Sequence, residues 1–260
     1  FRYLIQDPNF GLTIRNLKLA HGGFGEEPFL TAANLHFKRG EWTFVKGESG
    51  CGKTSLVKAI NGLWPHGSGA IVMPKGVETF YAAQEVKLPQ VSLKELACLP
   101  GLPDGHEDKA VASALRKAGL GDFAGDLAEE GREGKIWDQM LSGGQKQKLV
   151  VTRILLQQPG LLFLDEATAA LDPEGKREFH QTIKDNCPGI TVISIMHEAV
   201  APKTETGEEF FDSMLSIADG VALKKALVPP LPAEITSVLD KPRSGKAGHL
   251  LLLPVHSKAD

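Results

Sequence analysis

A glycine-rich loop between a strand and a helix constrains the fold of this chain more than any other feature. Residues Gly47 to Thr54 read GESGCGKT and fit the pattern G-x-x-x-x-G-K-[S/T] without a gap. The apolar segment Trp42 to Lys46 before it predicts a buried strand, and Thr54 to Asn61 after it has apolar residues at helical spacing. Such glycines let successive backbone N–H groups point at an anion, and the helix dipole favours the same anion. The sequence therefore predicts an α/β core that holds the phosphates of a nucleoside triphosphate.

The loop residues have separate predicted roles. Lys53 should reach the β- and γ-phosphates, and the Thr54 hydroxyl should ligate Mg²⁺. A glycine-rich turn with a surface lysine is the alternative for the same letters. The residues predicted to contact the nucleotide are Gly47, Glu48, Ser49, Gly50, Cys51, Gly52, Lys53, Thr54 and Ser55.

An acidic pair follows a second apolar run. Leu161 to Leu164 is fully apolar and predicts a buried parallel strand, which delivers Asp165 and Glu166 to its carboxyl end. Ligands of open α/β sheets bind at that end of the strands. Asp165 is therefore predicted to hold Mg²⁺, directly or through water, and Glu166 to polarise the attacking water. The alternative is an acidic N-cap for the next helix.

The segment LSGGQ, Leu141 to Gln145, is a second predicted anion site. A serine hydroxyl and glycine N–H groups stand at the start of a predicted helix, which runs to Gln157 and is stopped by Pro159. The donors and the helix dipole would then point the same way. An ordinary capped helix start is the alternative interpretation.

Strands and helices alternate along the rest of the chain, which predicts a parallel sheet covered on both faces. Residues 12–46 instead alternate apolar and polar positions between glycine turns, which predicts a small antiparallel sheet. The expected fold is α/β: a P-loop NTPase core with a mostly parallel sheet, an N-terminal antiparallel β-subdomain and an inserted helical subdomain. We expect the domain to span 1–226, with the helical insert at about 88–145, and 227–260 to form a proline-rich tail or appendage.

The order of these motifs resembles the ATP-binding cassette (ABC) family over roughly Leu12 to Ala222. The resemblance implies that the nucleotide is ATP and that Ser142, Gly143, Gly144 and Gln145 face the γ-phosphate held by an opposite subunit. Two copies of the domain would then sandwich two ATP·Mg²⁺ head to tail. Closure and reopening of this homodimer would supply the mechanical step.

Further positions match motifs of the family in order. Gln84 matches the Q-loop glutamine that senses Mg²⁺, Ala170 to Asp172 match the D-loop at the dimer interface, and His197 matches the switch histidine that contacts the γ-phosphate. The resemblance thus implies catalytic roles for Glu166, His197 and Lys53, and metal binding by Thr54, Gln84 and Asp165.

The position that stacks on adenine departs from the family pattern, which often has an aromatic residue there. The matching residue is His21, with Phe24 and Phe29 as nearby substitutes. A plain turn residue is the alternative for His21. Within the family, the chain resembles the fatty-acyl transporters of peroxisomes and their bacterial relatives at Gly47 to Gly50, at the run Gly62 to Gly69 (GLWPHGSG) and at Leu88-Pro89. A helix stop followed by an aromatic packing turn is the alternative for the run Gly62 to Gly69.

The resemblance implies an ATPase that powers transport across a membrane. A transmembrane domain fused upstream of Phe1 would be its partner, and the ATPase would lie at the cytoplasmic face of the membrane (the inner or plasma membrane in a bacterium). A soluble ABC ATPase of DNA repair or translation and a degenerate cassette that only binds ATP are the alternatives. The formal net charge of −3 gives no sign of a nucleic-acid surface, so no nucleic-acid partner is expected. Three cysteines without a CxxC pair favour a reducing compartment, and no apolar run approaches the ~18 residues that span a bilayer.

Overall fold

The computed structural model describes residues 1–7, 9, 11–22, 25–196 and 201–227. These residues belong to a compact unit, Phe1–Val228. Among them, no helix has both the length and the apolar character that crossing a bilayer would require. His197, Phe24 and the predicted tail from residue 228 onward lie outside the described residues. The predicted bounds of the domain and of its insert stay predictions.

The secondary structure follows the alternation that the sequence predicts. The strands are β1 (Arg2–Gln6), β2 (Leu12–Leu19), β3 (Leu30–Phe37), β4 (Trp42–Gly47), β5 (Gly67–Pro74), β6 (Thr79–Ala82), β7 (Gly131–Arg132), β8 (Lys135–Ile136), β9 (Leu161–Asp165), β10 (Thr191–Ile195), β11 (Ser213–Ala218) and β12 (Val221–Ala226). The α-helices are α1 (Lys53–Ile60), α2 (Leu93–Cys98), α3 (Asp108–Lys117), α4 (Trp137–Met140), α5 (Gly143–Gln157) and α6 (Pro173–Asn186).

One large sheet has the strand order β1-β5-β2-β3-β12-β11-β4-β10-β9-β6. Strands β11, β4, β10, β9 and β6 are parallel neighbours, whereas β2 is antiparallel to both β3 and β5. Strand β12 joins the two parts, because it pairs antiparallel with β11 and parallel with β3. The predicted α/β fold with a mostly parallel sheet is confirmed, and the antiparallel strands continue that sheet. The carboxyl ends of β4, β10, β9 and β6 therefore meet at one edge.

Helices cover both faces of the parallel strands. On one face, Leu56 of α1 shares a buried cluster with Phe163. On the other, Ile154 of α5 shares a cluster with Leu162 and Leu164. Alternate residues of β9 thus enter opposite layers, as the pleat of a strand requires. Each fully buried Leu, Ile or Phe side chain contributes about 1.5–3 kcal/mol, so the strand that carries the acidic pair is firmly held.

The residues between β6 and α5 form a helical layer of their own. Leu96, Leu115 and Trp137 belong to a third buried cluster, to which α5 contributes Leu149. Helix α5 also holds the end of α2, since Arg153 Nε donates a 2.8 Å hydrogen bond to Leu96 O. Burial lowers the pKa of the Arg153 guanidinium to about 10. Because α5 packs on both this layer and the sheet, both position the helix start that carries LSGGQ.

Candidate functional site

The phosphate loop lies between β4 and α1 and has a left-handed backbone at two glycines. Gly50 has a φ of 79° and Gly52 a φ of 99°, values that glycine adopts without the steric cost of a side chain. Gly47 has no room for a side chain, because a Cβ atom there would lie 2.5 Å from Cys51 Sγ and 2.7 Å from Ile217 O. The tight, glycine-dependent backbone is compatible with the predicted phosphate cradle.

The Lys53 side chain lies along the loop that precedes it. Its ammonium donates hydrogen bonds of 2.8 Å to Gly47 O and to Glu48 O, and Lys53 is only 7% exposed. Charge-assisted hydrogen bonds to phosphate are stronger than bonds to neutral carbonyls, so an anion at the loop would compete for this ammonium. The crest of the loop at 48–50 is exposed, and its remaining members Cys51, Gly52, Thr54 and Ser55 are half-buried.

The hydroxyl group of Thr54 and the carboxylate of Asp165 meet at the carboxyl edge of the sheet. Asp165 ends β9 and is 4% exposed, and its Oδ1 accepts a 3.0 Å hydrogen bond from Thr54 Oγ1 at the start of α1. Mg²⁺ in phosphate-transfer sites is bound by one or two carboxylates together with substrate phosphates. The hydroxyl and the carboxylate therefore fit the predicted metal ligands in both chemistry and place.

Tyr81 of β6 contacts the same carboxylate. Its hydroxyl donates a 2.8 Å hydrogen bond to Asp165 Oδ2, so both carboxylate oxygens accept a hydrogen bond. Burial, together with the hydrogen bond to Asp165 and its negative charge, raises the pKa of Tyr81 far above its ordinary value. Sequence reasoning missed Tyr81, because the contact joins residues 84 positions apart. The available signal was a tyrosine in the predicted strand that leads to Gln84.

Glu166 follows in a left-handed backbone conformation. Its φ of 55° is uncommon for a residue with a side chain, and its N–H donates a 3.0 Å hydrogen bond to Ile195 O at the end of β10. Glu166 is 9% exposed. Backbone conformations of this kind cluster at functional sites. Residues 197–200 after β10, among which the sequence predicts His197 to act, lie outside the described residues.

Gln84 is exposed just beyond the end of β6. Strand β6 pairs in parallel with β9, with Ala82 opposite Leu164. Gln84 therefore lies at the same edge of the sheet as Asp165. The structure thus brings the phosphate loop, Asp165, Glu166 and Gln84 to one edge of the sheet.

Ser142 to Gln145 form a capped helix start, which we call the LSGGQ tip. Ser142 Oγ accepts a 3.2 Å hydrogen bond from Gln145 N, and Gln145 Oε1 accepts one of 2.9 Å from Ser142 N. This reciprocal capping box fixes the start of α5 and leaves the hydroxyl proton of Ser142 to be donated elsewhere. Ser142 and Gly143 are exposed, and Gly144 and Gln145 are half-buried. In the described part of the chain, no hydrogen bond joins this tip to the phosphate loop.

The predicted D-loop packs against the LSGGQ tip. A Cβ atom on Gly143 would lie 3.1 Å from Ala170 Cβ, and one on Gly144 would lie 3.4 Å from Leu171 Cδ2, so both glycines permit a close approach. Gln147 is 3% exposed and accepts a 3.1 Å hydrogen bond from Ala170 N. Sequence reasoning missed Gln147, for which a polar residue on the core-facing side of α5 was the available signal. The tip and the D-loop therefore form one surface.

His21 belongs to an aromatic cluster beside the phosphate loop. It stacks on Phe29, with 4.2 Å between ring centroids and 19° between ring planes. Trp64 lies edge-on to both rings, and its Nε1 donates a 3.1 Å hydrogen bond to Ala20 O. A Cβ atom on Gly52 would lie 3.0 Å from a carbon of the Phe29 ring. Since His21 itself is exposed, the cluster suits the predicted base-stacking role, which stays a prediction.

Comparison with known proteins finds a matching family and several relatives of this chain. The sequence pattern of the family described as ABC transporter matches residues 30–169. The chain is 32% identical over 165 residues to the inner membrane ABC transporter ATP-binding protein YddA of Escherichia coli, covering 64% of this chain and 28% of that protein. It is 32% identical over 177 residues to the zinc import ATP-binding protein ZnuC of Roseobacter denitrificans, covering 67% of this chain and 66% of that protein.

A solved structure shares the fold. A bacterial Atm1-family ABC exporter with ATP bound superposes with a TM-score of 0.67 at 19% sequence identity, covering 91% of this chain and 45% of that chain.

The share of each relative that the chain covers differs. The energy-coupling factor transporter ATP-binding protein EcfA1 of Streptococcus thermophilus is 32% identical over 206 residues, covering 72% of this chain and 71% of that protein. The chain nevertheless spans only 28% of YddA, so it corresponds to one part of that longer relative.

Proposed function

The chain belongs to the ABC transporter family, and we propose that it binds and hydrolyses ATP to power transport across a membrane. The observation that carries the proposal is the 3.0 Å hydrogen bond between Thr54 Oγ1 and Asp165 Oδ1. It joins the helix that begins at the phosphate loop to the carboxylate at the end of β9. A site for a nucleotide with a divalent cation needs these two groups side by side.

ATP would lie along the phosphate loop. Lys53 would turn from the carbonyls of Gly47 and Glu48 to the β- and γ-phosphate oxygens. Thr54, Asp165 and Gln84 would hold Mg²⁺, which supplies charge neutralisation to the phosphates when it is bound. The oxygen chemistry of the three side chains and their common edge of the sheet support this assignment.

Hydrolysis would need a positioned water on the side of the γ-phosphate away from ADP. Glu166 would orient that water and accept its proton, while His197 would steady the transferred phosphoryl group. The water oxygen bonds to the γ-phosphorus, the bond to the bridging oxygen breaks, and ADP and phosphate result. Catalysis would come from positioning and charge neutralisation, with Lys53 stabilising the phosphate charge. The burial of Glu166 and its left-handed backbone, directly after Asp165, support this role.

A second copy of the chain would complete each site. Ser142 and Gly143 are exposed at the start of α5, where a hydroxyl group, a backbone N–H group and the positive end of the helix favour an anion. In the homodimer this LSGGQ tip, including Gly144 and Gln145, would face the γ-phosphate on the partner copy. Ala170 of the D-loop donates a hydrogen bond to Gln147 of α5, the helix that begins at the LSGGQ tip. A shift of the interface would therefore move the tip and the D-loop together.

The transport step would require a transmembrane partner domain. This chain spans 28% of YddA, so most of that protein lies outside the matched part. We propose a comparable arrangement here, with a transmembrane domain upstream of Phe1 and the ATPase at the cytoplasmic face of the membrane. One relative is named for import and the similar structure for export, so either direction is compatible with this site.

Phosphate release by the purified chain tests the ATPase proposal. Asp165→Asn should lower Mg²⁺-dependent release by about two orders of magnitude or more, because it removes the charged metal ligand. Asp104→Asn changes the same kind of side chain at an exposed position of the helical layer and should leave the rate unchanged. Equal rates for Asp165→Asn and the unmodified chain would contradict the proposal.

A further inference from the structure

Tyr81 reaches Asp165 because of the register between β6 and β9. Tyr81 lies opposite Phe163, and partners in a parallel pair point to the same face of the sheet. Phe163 and Asp165 are alternate residues of β9, so they share that face with Tyr81. The Tyr81 ring packs against the buried cluster that contains Phe163, and its hydroxyl extends to Asp165 Oδ2 at 2.8 Å. Strand pairing therefore holds the phenol beside the carboxylate.

We propose that Tyr81 is a positioning residue that leaves Asp165 a single oxygen for the cation and thereby favours Mg²⁺ over Ca²⁺. The inference rests on the proposed function, in which Thr54 and Asp165 hold the metal. Oδ2 is committed to the Tyr81 hydroxyl, whereas Oδ1 faces Thr54 Oγ1 at 3.0 Å. The Thr54 hydroxyl can rotate and release Oδ1 to a cation. The Tyr81 hydroxyl is fixed by a packed ring and keeps Oδ2 occupied.

The coordination habits of the two cations connect this geometry to selectivity. Mg²⁺ demands a near-octahedral shell at about 2.0–2.1 Å and dehydrates reluctantly, whereas Ca²⁺ takes six to eight oxygens at about 2.3–2.6 Å and accepts carboxylates through both oxygens. A carboxylate with one committed oxygen serves Mg²⁺ but cannot chelate Ca²⁺. Loss of the phenol oxygen would free Oδ2 and let the carboxylate rotate. Mg²⁺ binding would weaken, and Ca²⁺ would gain a second ligand oxygen.

A tyrosine that only fills the core would behave differently, and the chain supplies a matched control for it. The sequence has two tyrosines. Tyr3 donates a 2.7 Å hydrogen bond to Ala59 O from β1, at the opposite end of the strand order from β6. Tyr3→Phe removes a bonded phenol oxygen far from Asp165. A purely structural role for Tyr81 would change the unfolding free energy without changing the preference between the two cations.

Electron paramagnetic resonance of Mn²⁺ gives the test without using activity. The chain is kept in excess over a non-hydrolysable ATP analogue, so that the bound Mn²⁺ is held by the complex. Mg²⁺ or Ca²⁺ is then added to displace the Mn²⁺. The ratio of the Mg²⁺ concentration to the Ca²⁺ concentration required for displacement does not depend on the affinity for Mn²⁺. Loss of a hydrogen-bond partner of a metal ligand weakens metal binding by about tenfold or more, and in Tyr81→Phe this loss should apply to Mg²⁺ more than to Ca²⁺, so the ratio should rise at least about threefold. Tyr3→Phe should match the unmodified chain, and an unchanged ratio in Tyr81→Phe overturns the proposal.

Asp165→Asn separates this inference from the proposed function. Intact Mn²⁺ binding in Asp165→Asn would show that the proposed assignment of Asp165 as a metal ligand is wrong. Weakened binding there, with an unchanged ratio in Tyr81→Phe, would reject only the role of Tyr81.

A labelling experiment covers the case in which Tyr81→Phe does not fold. In the Tyr3→Phe chain, 3-fluorotyrosine labels Tyr81 alone, since the sequence has two tyrosines. Its ¹⁹F resonance should shift when Mg²⁺ is added to the nucleotide-loaded chain and should return in EDTA. A resonance that does not respond to Mg²⁺ contradicts the proposal.

Discussion

Replacing Thr54 by valine removes the hydroxyl that reaches Asp165 and keeps the shape of the side chain. In the chain without ligand, Oδ1 would lose a 3.0 Å hydrogen bond on a carboxylate that is 4% exposed. Hydrogen bonds to charged groups contribute about 1.5–3 kcal/mol. Thr54 is half-buried, and Tyr81 still donates to Oδ2, which reduces the loss. We therefore expect the free energy of unfolding to fall by about 1–2 kcal/mol.

Bound nucleotide adds a second difference in stability between the two proteins. A ligand at a hundred times its Kd stabilises the folded chain by about 2.7 kcal/mol. Valine cannot ligate Mg²⁺, so the affinity of Thr54→Val for ATP·Mg²⁺ should fall at least about tenfold, which removes about 1.4 kcal/mol of that stabilisation. ATP in EDTA should stabilise both proteins alike, because the hydroxyl acts through the metal.

Urea unfolding followed by tryptophan fluorescence measures both effects. Thr152→Val is the matched control, since Thr152 donates a 3.3 Å hydrogen bond to Lys148 O within α5. Thr54→Ser keeps the hydroxyl and should respond to Mg²⁺ as the unmodified chain does. Equal Mg²⁺-dependent stabilisation of Thr54→Val and the unmodified chain would refute the assignment of Thr54 as a metal ligand.

Two further substitutions test the phosphate loop and the ion pair at the start of the strand that leads to it. Gly47→Ala places a Cβ atom where the structure has no room for it, so ATP binding measured by equilibrium dialysis should be lost. A normal affinity for ATP would contradict the tight-loop geometry. Burial raises the pKa of Glu41, but hydrogen bonds from Lys224, Ser213 and the Lys38 N–H outweigh it and leave that pKa lowered. A carboxyl group with a lowered folded pKa stabilises the fold above its unfolded pKa of about 4.3, and this contribution disappears as the pH falls through the folded pKa. Burial also lowers the pKa of Lys224, which offsets part of the gain, so Glu41→Gln should lower the free energy of unfolding by about 1 kcal/mol at pH 7 and by progressively less as the pH falls through the folded pKa of Glu41. A loss that stays constant on acidification would count against the charge of Glu41 as the cause.

Local signals explain why several elements could be predicted from the sequence to within one residue at each end. Helix α5 runs from Gly143 to Gln157 as predicted, because Ser142 caps its start and Pro159 follows its end. Helix α6 has similar local signals, since it begins at Pro173 next to the capping side chain of Asp172. The buried strands that end at the phosphate loop and at the acidic pair were predicted for the same reason: an apolar run bounded by polar or glycine residues.

Contacts between distant segments could not be read from these local patterns. The hydrogen bond from Tyr81 to Asp165 depends on the pairing of β6 with β9, and the bond from Ala170 to Gln147 depends on how the D-loop meets α5. The stacking of His21 on Phe29 is likewise a tertiary contact. In each case the residue type was visible in the sequence, whereas its partner was fixed only by the packing of two elements.

Completion of each ATP site by a second copy is tested most directly by sedimentation velocity of the Glu166→Gln chain. This variant should bind ATP·Mg²⁺ without hydrolysing it, so the closed pair should accumulate as a dimer with ATP·Mg²⁺ and revert to monomer in EDTA. A second change, Ser142→Arg, places a bulky side chain in the exposed LSGGQ tip and should abolish the dimer while each chain still binds ATP. A Glu166→Gln chain that remains strictly monomeric at saturating ATP·Mg²⁺ would contradict a shared site.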